Sequence, residues 1–261
     1  MKTEWDYTEL ADAYMKRPDY ALEAIDRMVE IAGLKKGDMV CDVGAGDGHL
    51  TRLLADRGLA VRAVEPNDAM RVNGIKMTQK YENVKWSEGV GEHTGMPEST
   101  FKMVSFGSSF NVTDRQQSLK EAKRILVDGG WFACMWNHRD LDDPIQHSIE
   151  EIIKSYVPEY SYGTRREDQT DVINASGLYG DVVKFEGHVT HMVPVDDVIE
   201  GWRSHGTVHR QAKEKFDAIM NDIEKYLRGL GEGKIAVPYT THVWMAQLKS
   251  ASIEQNQTGG V

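Results

Sequence analysis

The sequence predicts an α/β fold: a doubly wound, mostly parallel sheet of seven strands with helices on both faces and a helical lid. Three observations lead there. Short apolar runs alternate with amphipathic segments over most of the chain, as expected of parallel strands joined by helical crossovers. A glycine-rich turn, VCDVGAGDGHL from Val40 to Leu50, follows the first apolar run. The alternation gives way to paired helical patterns near the start and again near the end.

Residues 1–32 carry two helical patterns, with Tyr7, Leu10, Tyr14 and Met15 at helical spacing in the first. The second follows Pro18, shows Leu22, Ile25, Met28, Val29 and Ile31 on one face, and stops at Gly33. Asp38–Val43 (DMVCDV) is a short apolar strand, and GHLTRLLADRG is a helix ending at Gly58. Leu59–Glu65 is the second strand, and NDAMRVNGIKM is a helix opened by Asn67 or Asp68 as cap. NVKWSEG and Phe101–Ser109 are strands, followed by a helix with Asp114 near its start. Gly129–Asn137 is a strand, and PIQHSIEEIIKSYV a helix with Pro144 in its first turn. DVVKFEG is a sixth strand. Residues 195–230 then read as two helices, VDDVIEGWRS and TVHRQAKEKFDAIMNDIEKYLRGL, before a last strand, YTTHVWMAQL. The domain reading is a lid at 1–32, a core at 33–194, a helical cap at 195–235, a last core strand at 236–248 and a polar, disordered tail at 249–261.

With 261 residues, 40% hydrophobic residues and six tryptophans, the chain suits one large domain with an elaborated cap. The formal net charge of −10 argues against a nucleic-acid backbone as partner, which wants a basic face. The start of the chain has no apolar stretch like that of a signal peptide, and no apolar run is of membrane-spanning length. The expectation is a cytoplasmic protein with no membrane or nucleic-acid partner, monomeric or homodimeric. The two cysteines, Cys41 and Cys134, lie in strand-like runs and read as buried thiols.

Glycine tolerates positive φ and lets a ligand approach the backbone closely, and the N–H groups that open a helix favour negative charge. Two cradles compete at this turn. A dinucleotide fingerprint, Gly-x-Gly-x-x-Gly, needs glycine at position 49, where His49 stands. The spacing is instead Gly44-x-Gly46-x-Gly48, preceded by Asp42. Glu65 ends the second strand 21 residues after Gly44, where a carboxylate can accept both hydroxyls of a ribose.

The stretch VCDVGAGDGHLTRLLADRGLAVRAVEPNDAM resembles the first two motifs of the class I S-adenosylmethionine-dependent methyltransferases. GVGEHTGMPESTFKMVSFGSSFNVTD and EAKRILVDGGWFACMWNHRD resemble the rest of their Rossmann-like core, and the nearer likeness is to bacterial small-molecule enzymes related to trans-aconitate methyltransferase. The resemblance implies S-adenosylmethionine as cofactor and S-adenosylhomocysteine as product. It implies that Gly44, Ala45 and Gly46 lie under the methionine part and that Glu65 holds the ribose. Pro66 and Met70 would stand beside the adenine, with Gly91 and Glu92 at its edge. Phe106, Gly107 and Ser108 would line the floor near the sulfonium, with Tyr14 and Arg17 closing over it. Two positions depart from the pattern: Lys102 replaces an aspartate after Phe101, and Asn111 stands where near relatives often carry histidine.

Methyl transfer needs alignment and exclusion of water, and a base only where the acceptor must lose a proton. Three segments converge at the strand ends: SSFNVTDR, WNHRDLDD and RSHGTVHR. His138 is the foremost base, since it stands just past a strand end and titrates near neutrality. Asn111 and His205 are the other catalytic candidates. Tyr7, Asn111, Trp136, Arg139, Arg203 and His209 are the expected contacts to a small-molecule acceptor, the arginines as partners for a carboxylate or phosphate. Trp5, Tyr7, Tyr14, Trp136 and Trp202 could form an aromatic wall at the mouth. His205 and His209 would share a face if one helix ran through Gly206, but no third ligand is fixed, so no metal is expected. The alternatives are a catalytically silent S-adenosylmethionine-binding protein and a nicotinamide-dependent oxidoreductase.

Overall fold

A computed structural model describes residues 11–15 and 17–250. In chain order the elements are α1 (Ala11–Tyr14), α2 (Leu22–Ile31), β1 (Met39–Val43), α3 (His49–Asp56), β2 (Ala60–Val64), α4 (Asp68–Thr78), β3 (Val84–Ser87) and β4 (Phe101–Gly107). They continue with α5 (Arg115–Ile125), β5 (Leu126–Arg139), α6 (Pro144–Tyr156), α7 (Thr170–Ala175), β6 (Tyr179–Pro194), α8 (Val195–Arg203), α9 (Gly206–Ala212), α10 (Phe216–Gly229) and β7 (Lys234–Leu248). The expected first helix is described only as the four residues of α1. Trp5, Tyr7 and the tail from 251 onwards lie outside the described residues.

The strands form one seven-stranded sheet in the order β3-β2-β1-β4-β5-β7-β6. The five strands from β3 to β5 are parallel, and β7 runs antiparallel to both β5 and β6. Strand order reverses between β1 and β4, so the connections leaving these strands part and open a crevice at their carboxyl ends.

Strand parity splits the core. Val40, Met103, Ala133 and Met135 face one side and pack with Ile25 and Met28 of α2 and Leu50, Leu53 and Leu54 of α3. Cys41, Val104, Phe132, Cys134 and Trp136 face the other and pack with Phe106, Phe110, Leu119 and Ile125. Both cysteines are free and buried, which pushes their thiols well above the ordinary range.

Side-chain caps start the helices at the expected places. Asn67 Oδ1 accepts the Met70 N–H at 3.1 Å, and Asp114 Oδ1 accepts those of Gln116 and Gln117. Asp143 Oδ1 does the same for α6, with Pro144 in its first turn. Lys102 pairs with Asp38 at 2.9 Å, at the end of β4 opposite the crevice.

Two segments differ from the sequence reading. The sixth and seventh strands are far longer than DVVKFEG and YTTHVWMAQL: β6 and β7 pair continuously from Val182↔Ala246 to Pro194↔Lys234. This ribbon overruns the sheet and carries the helices α8 to α10. The segment TVHRQAKEKFDAIMNDIEKYLRGL is two helices, because the chain leaves helical geometry at Lys213 (φ +50°). Trp202, Val208, Ile219, Ile223, Ile235 and Val237 join Ile149 and Ile153 in a third core under this cap.

Gly74 lies inside α4, where alanine ordinarily favours the helix by about 1 kcal/mol. Here a Cβ would stand 2.2 Å from the Trp86 ring, which Thr78 Oγ1 holds through the indole N–H at 2.8 Å. Gly74→Ala is therefore expected to destabilise the fold by about 1–3 kcal/mol in urea denaturation. A stabilised variant would show that Trp86 moves without cost.

Candidate active site

At the carboxyl ends of the strands lies a cavity of about 970 Å³, walled by the loop after β1, the ends of β2, β4, β5 and β6, the segment 14–20 and the cap. The turn after β1 is its floor. Gly44, Gly46 and Gly48 all take left-handed backbone conformations, with φ of +65°, +59° and +90°. A Cβ on Gly44 would meet Ser109 Cβ at 2.5 Å, and one on Gly46 would meet Met70 at 3.2 Å. The N–H groups of Gly44 and Ala45 both donate to the Val64 carbonyl, which ties the turn to β2. Ser108 also sits at positive φ (+60°), an uncommon and strained state for a residue with a side chain, held by the Tyr20 hydroxyl at 3.0 Å.

Acidic groups line this half. Glu65 accepts the N–H of Gly46 at 2.8 Å and that of Asn67 at 2.9 Å, one on each oxygen, and burial raises its pKa. Asp42 is fully buried; its Oδ2 accepts the Thr51 hydroxyl at 2.6 Å, while Oδ1 has no hydrogen-bond partner. Burial pushes the Asp42 carboxyl up to about 7. Asp47 Oδ2 is likewise buried, with His49 Nε2 as its partner at 3.5 Å.

The segment 17–20 lines the cavity and is pinned from three sides. His49, the residue that breaks the dinucleotide fingerprint, is buried between Asp19 at 2.8 Å and Asp47 at 3.5 Å. Burial opposes its protonation, but the two carboxylates prevail and raise it to about 9, so it is an imidazolium at neutral pH. Arg52 also grips Asp19, and together these partners hold the Asp19 carboxyl far below its usual range against burial. Asn137 of β5 and His191 of β6 donate to the Asp19 carbonyl at 2.9 and 3.2 Å. Arg17 lies 3.4 Å over the Tyr14 ring.

Of the residues the sequence singled out, Tyr14, Arg17, Gly44, Ala45, Gly46, Glu65, Pro66, Met70, Gly91, Glu92, Gly107, Ser108, Asn111, His138, Arg139 and His205 line this cavity. Four do not. Phe106 points to the opposite face of the sheet, stacked edge-on with Phe110, and supports Gly91 from behind. Trp136 is wholly buried on that same face; its indole donates to Asn111 Oδ1 at 3.0 Å and so orients a cavity residue without being one. Arg203 faces solvent in an ion pair with Glu224. His209 is exposed and packs on Phe216. The shared helix face of His205 and His209 is also absent: α9 begins at Gly206, and His205 is its cap, stacked on Trp202. Among the described residues no group of three His, Cys, Asp or Glu is placed to hold a metal.

The structure adds residues that sequence reasoning passed over: Asp19, His49, Asn137, Tyr162, Arg166, His191, Asp197 and Tyr239. Only His191 had a usable signal, the apolar–polar alternation that continues past Gly187 into β6. Arg166, His49 and Asn137 depend on contacts across 27, 30 and 118 positions of sequence.

Residues 41–134 match the family described as methyltransferase domain. An uncharacterized methyltransferase of Mycobacterium tuberculosis is 31% identical over 125 residues, 48% of each chain. A ubiquinone/menaquinone biosynthesis C-methyltransferase of Teredinibacter turnerae is 30% identical over 109 residues, 39% of this chain and 44% of that one. The chain thus spans about half the length of the curated relatives it matches. Among solved structures, one described as a candidate type II methyltransferase from Anaeromyxobacter dehalogenans superposes with a TM-score of 0.65 at 16% identity, over 89% of this chain and 97% of that one. Haemonchus contortus phosphoethanolamine N-methyltransferase 2 superposes at 0.52 and 16% identity, over 88% of this chain and 52% of that one.

The imidazolium at position 49 makes stability depend on pH with a definite sign. Its folded pKa lies above the ordinary value of 6.5, so its contribution is complete below that pH and is lost as pH rises through about 9. His49→Ala is expected to lower stability by roughly 1–3 kcal/mol at pH 6, and the gap from the unmodified protein should close by pH 10. Urea midpoints at both pH values check this; a gap independent of pH would mean that His49 acts by packing alone. Residues 41–134 thus carry a methyltransferase-domain match, within a sheet whose strand order reverses at the glycine turn.

Proposed function

We propose that this protein transfers a methyl group from S-adenosylmethionine to an oxygen, nitrogen or carbon nucleophile of a small polar molecule held under the cap. The observation that carries the reading is continuity: the glycine turn and Glu65 share one cavity with His138, Arg139 and the cap residue His205. A binding protein without catalysis needs no second chamber there. The narrower kinship with the trans-aconitate group is carried by sequence resemblance alone.

The residues present fit the cofactor. Asp42 Oδ1 is a buried acceptor without a hydrogen bond, suited to an ammonium group. Each Glu65 oxygen accepts one backbone N–H and keeps a lone pair for a ribose hydroxyl. Gly91 leaves space only for backbone, since a Cβ would stand 2.7 Å from Ser118 and Thr113. The Haemonchus protein of the same fold is bound to S-adenosylhomocysteine. When bound, S-adenosylmethionine supplies an electrophilic methyl group on a sulfonium.

The chain's own part is positioning, exclusion of water and, where the acceptor is protic, proton removal. The pinned segment 17–20 lies on the glycine side and the cap on the other, so both partners would meet out of bulk solvent. His138, the penultimate residue of β5, lines the cavity, its ring 4.8 Å from that of His242. In this reading it accepts the acceptor's proton, and Asn111, oriented by Trp136, and His205 contact the acceptor.

Calorimetric titration with S-adenosylmethionine, S-adenosylhomocysteine and NADH tests the reading at its base. Binding of the first two and not the third is expected; the reverse would overturn it. Glu65→Gln keeps the shape of the side chain but removes its charge, and should weaken S-adenosylhomocysteine about 10- to 100-fold, or roughly 1.5–3 kcal/mol. His138→Ala should leave that affinity unchanged while lowering turnover about 10²- to 10⁴-fold with a protic acceptor. Normal turnover across pH would remove His138 from the mechanism.

A further inference from the structure

We infer that the acceptor is anionic, and that Arg139 and Arg166 grip its carboxylate or phosphate group in the cap half of the cavity. The inference rests on the methyltransferase reading above and names the acceptor's class. The chain as a whole is acidic, with 41 Asp and Glu against 31 Lys and Arg. Two arginines nevertheless line one end of the cavity together. Arg139 ends β5, one residue after His138. Arg166 follows a short 3₁₀ turn at Gly163–Arg165 and is tied to the same strand end, its Nη2 donating to the Arg139 carbonyl at 2.9 Å. Backbone geometry thus brings the two charges to one place.

Neither guanidinium is neutralised there. Among the described residues no ion pair involves Arg139 or Arg166, although other arginines, including Arg52, Arg57, Arg71, Arg124 and Arg203, have one. The Nε atoms of both arginines are buried and make no hydrogen bond. A charged donor removed from water without an acceptor is costly, and the cost is removed by a ligand that brings one.

Aromatic rings fix the orientation. The Arg139 guanidinium lies 4.1 Å over the Trp202 ring, and that of Arg166 lies 4.2 Å over Tyr162. Stacking occupies the planar faces and leaves the in-plane N–H edges for a ligand. Those edges match the two oxygens of a carboxylate or phosphate. Lysine would supply the charge without the fork or the stack. Because both arginines line the same cavity as His138, an anion held by the pair would fix the rest of the acceptor within reach of it.

The test uses the full chain saturated with S-adenosylhomocysteine. Succinate, citrate and inorganic phosphate are titrated at constant ionic strength, with succinamide as the neutral control. At least one oxyanion is expected to bind and succinamide not to bind; carboxylate against phosphate tells which headgroup the site takes. Arg139→Gln and Arg166→Gln should each weaken the oxyanion tenfold or more, with Arg139→Lys also impaired, while the affinity for S-adenosylhomocysteine stays within twofold. That retained affinity also shows that the variants are folded. Absence of oxyanion binding, or equal binding by the double Gln variant, would overturn the inference. So would a parallel loss of S-adenosylhomocysteine affinity, which would assign the arginines to the cofactor. Failure of the unmodified protein to bind S-adenosylhomocysteine would instead overturn the methyltransferase reading itself.

Discussion

The turn after β1 sets the terms for everything around it. Its backbone must reverse within five residues while β2 and β4 press on both sides, and the three glycines do so at positive φ. The approach is so close that Ser109, from the loop after β4, occupies the space of a Gly44 side chain and donates its hydroxyl to the Val43 carbonyl at 2.6 Å. One contact thereby joins the two strands that flank the switch in sheet order. The cavity exists because the chain cannot fill this place with side chains, and Glu65 and Asp42 reach it because their strands end there.

Charge is divided across that cavity. The glycine side presents Asp42, Asp47 and Glu65, and the cap side presents Arg139 and Arg166. Opposite fields in one low-dielectric space act before any contact forms, since each favours one sign of ligand at one end. The carboxyl of Asp42, pushed up to about 7, moderates the cost of the acidic cluster by sharing its charge with a proton near neutrality. The latch on segment 17–20 uses the same economy of pairs: Asp19 satisfies His49 and Arg52 with its carboxylate, and Asn137 and His191 with its carbonyl.

What could be read from the sequence follows from how locally each feature is encoded. A turn that demands positive φ is written as glycine, a helix start as Asn67, Asp114 or Asp143, and a buried parallel strand as a short apolar run; all of these could be read directly. The cofactor half of the cavity is built from such features, and its residues converge, apart from Phe106. Phe106 and Trp136 show the limit. Strand parity decides which face a side chain takes, and a buried strand that is apolar on both sides hides its parity. The helix break at Lys213 is set by how α9 and α10 pack in the cap, which has no signature in a segment of uniform helical pattern. Arg166 went unseen because its role depends on a contact with Arg139, 27 positions away.

The long β6–β7 ribbon explains why less of the acceptor half than of the cofactor half could be read. Its alternating residues overrun the sheet and support a cap with its own core, which Trp202, Ile219 and Ile223 fill. The cofactor floor belongs to the sheet and inherits its rigidity. The acceptor wall is assembled from β5, the 3₁₀ turn before Arg166, β6 and the cap; β7 ties the two strands through backbone, and side chains attach the rest. A fold that fixes one ligand through backbone and the other through side chains can keep its donor chemistry while substitutions in the cap change the acceptor. On the proposed reading, acceptor specificity resides where Trp202 and Tyr162 set the planes of two arginines, apart from the glycine turn.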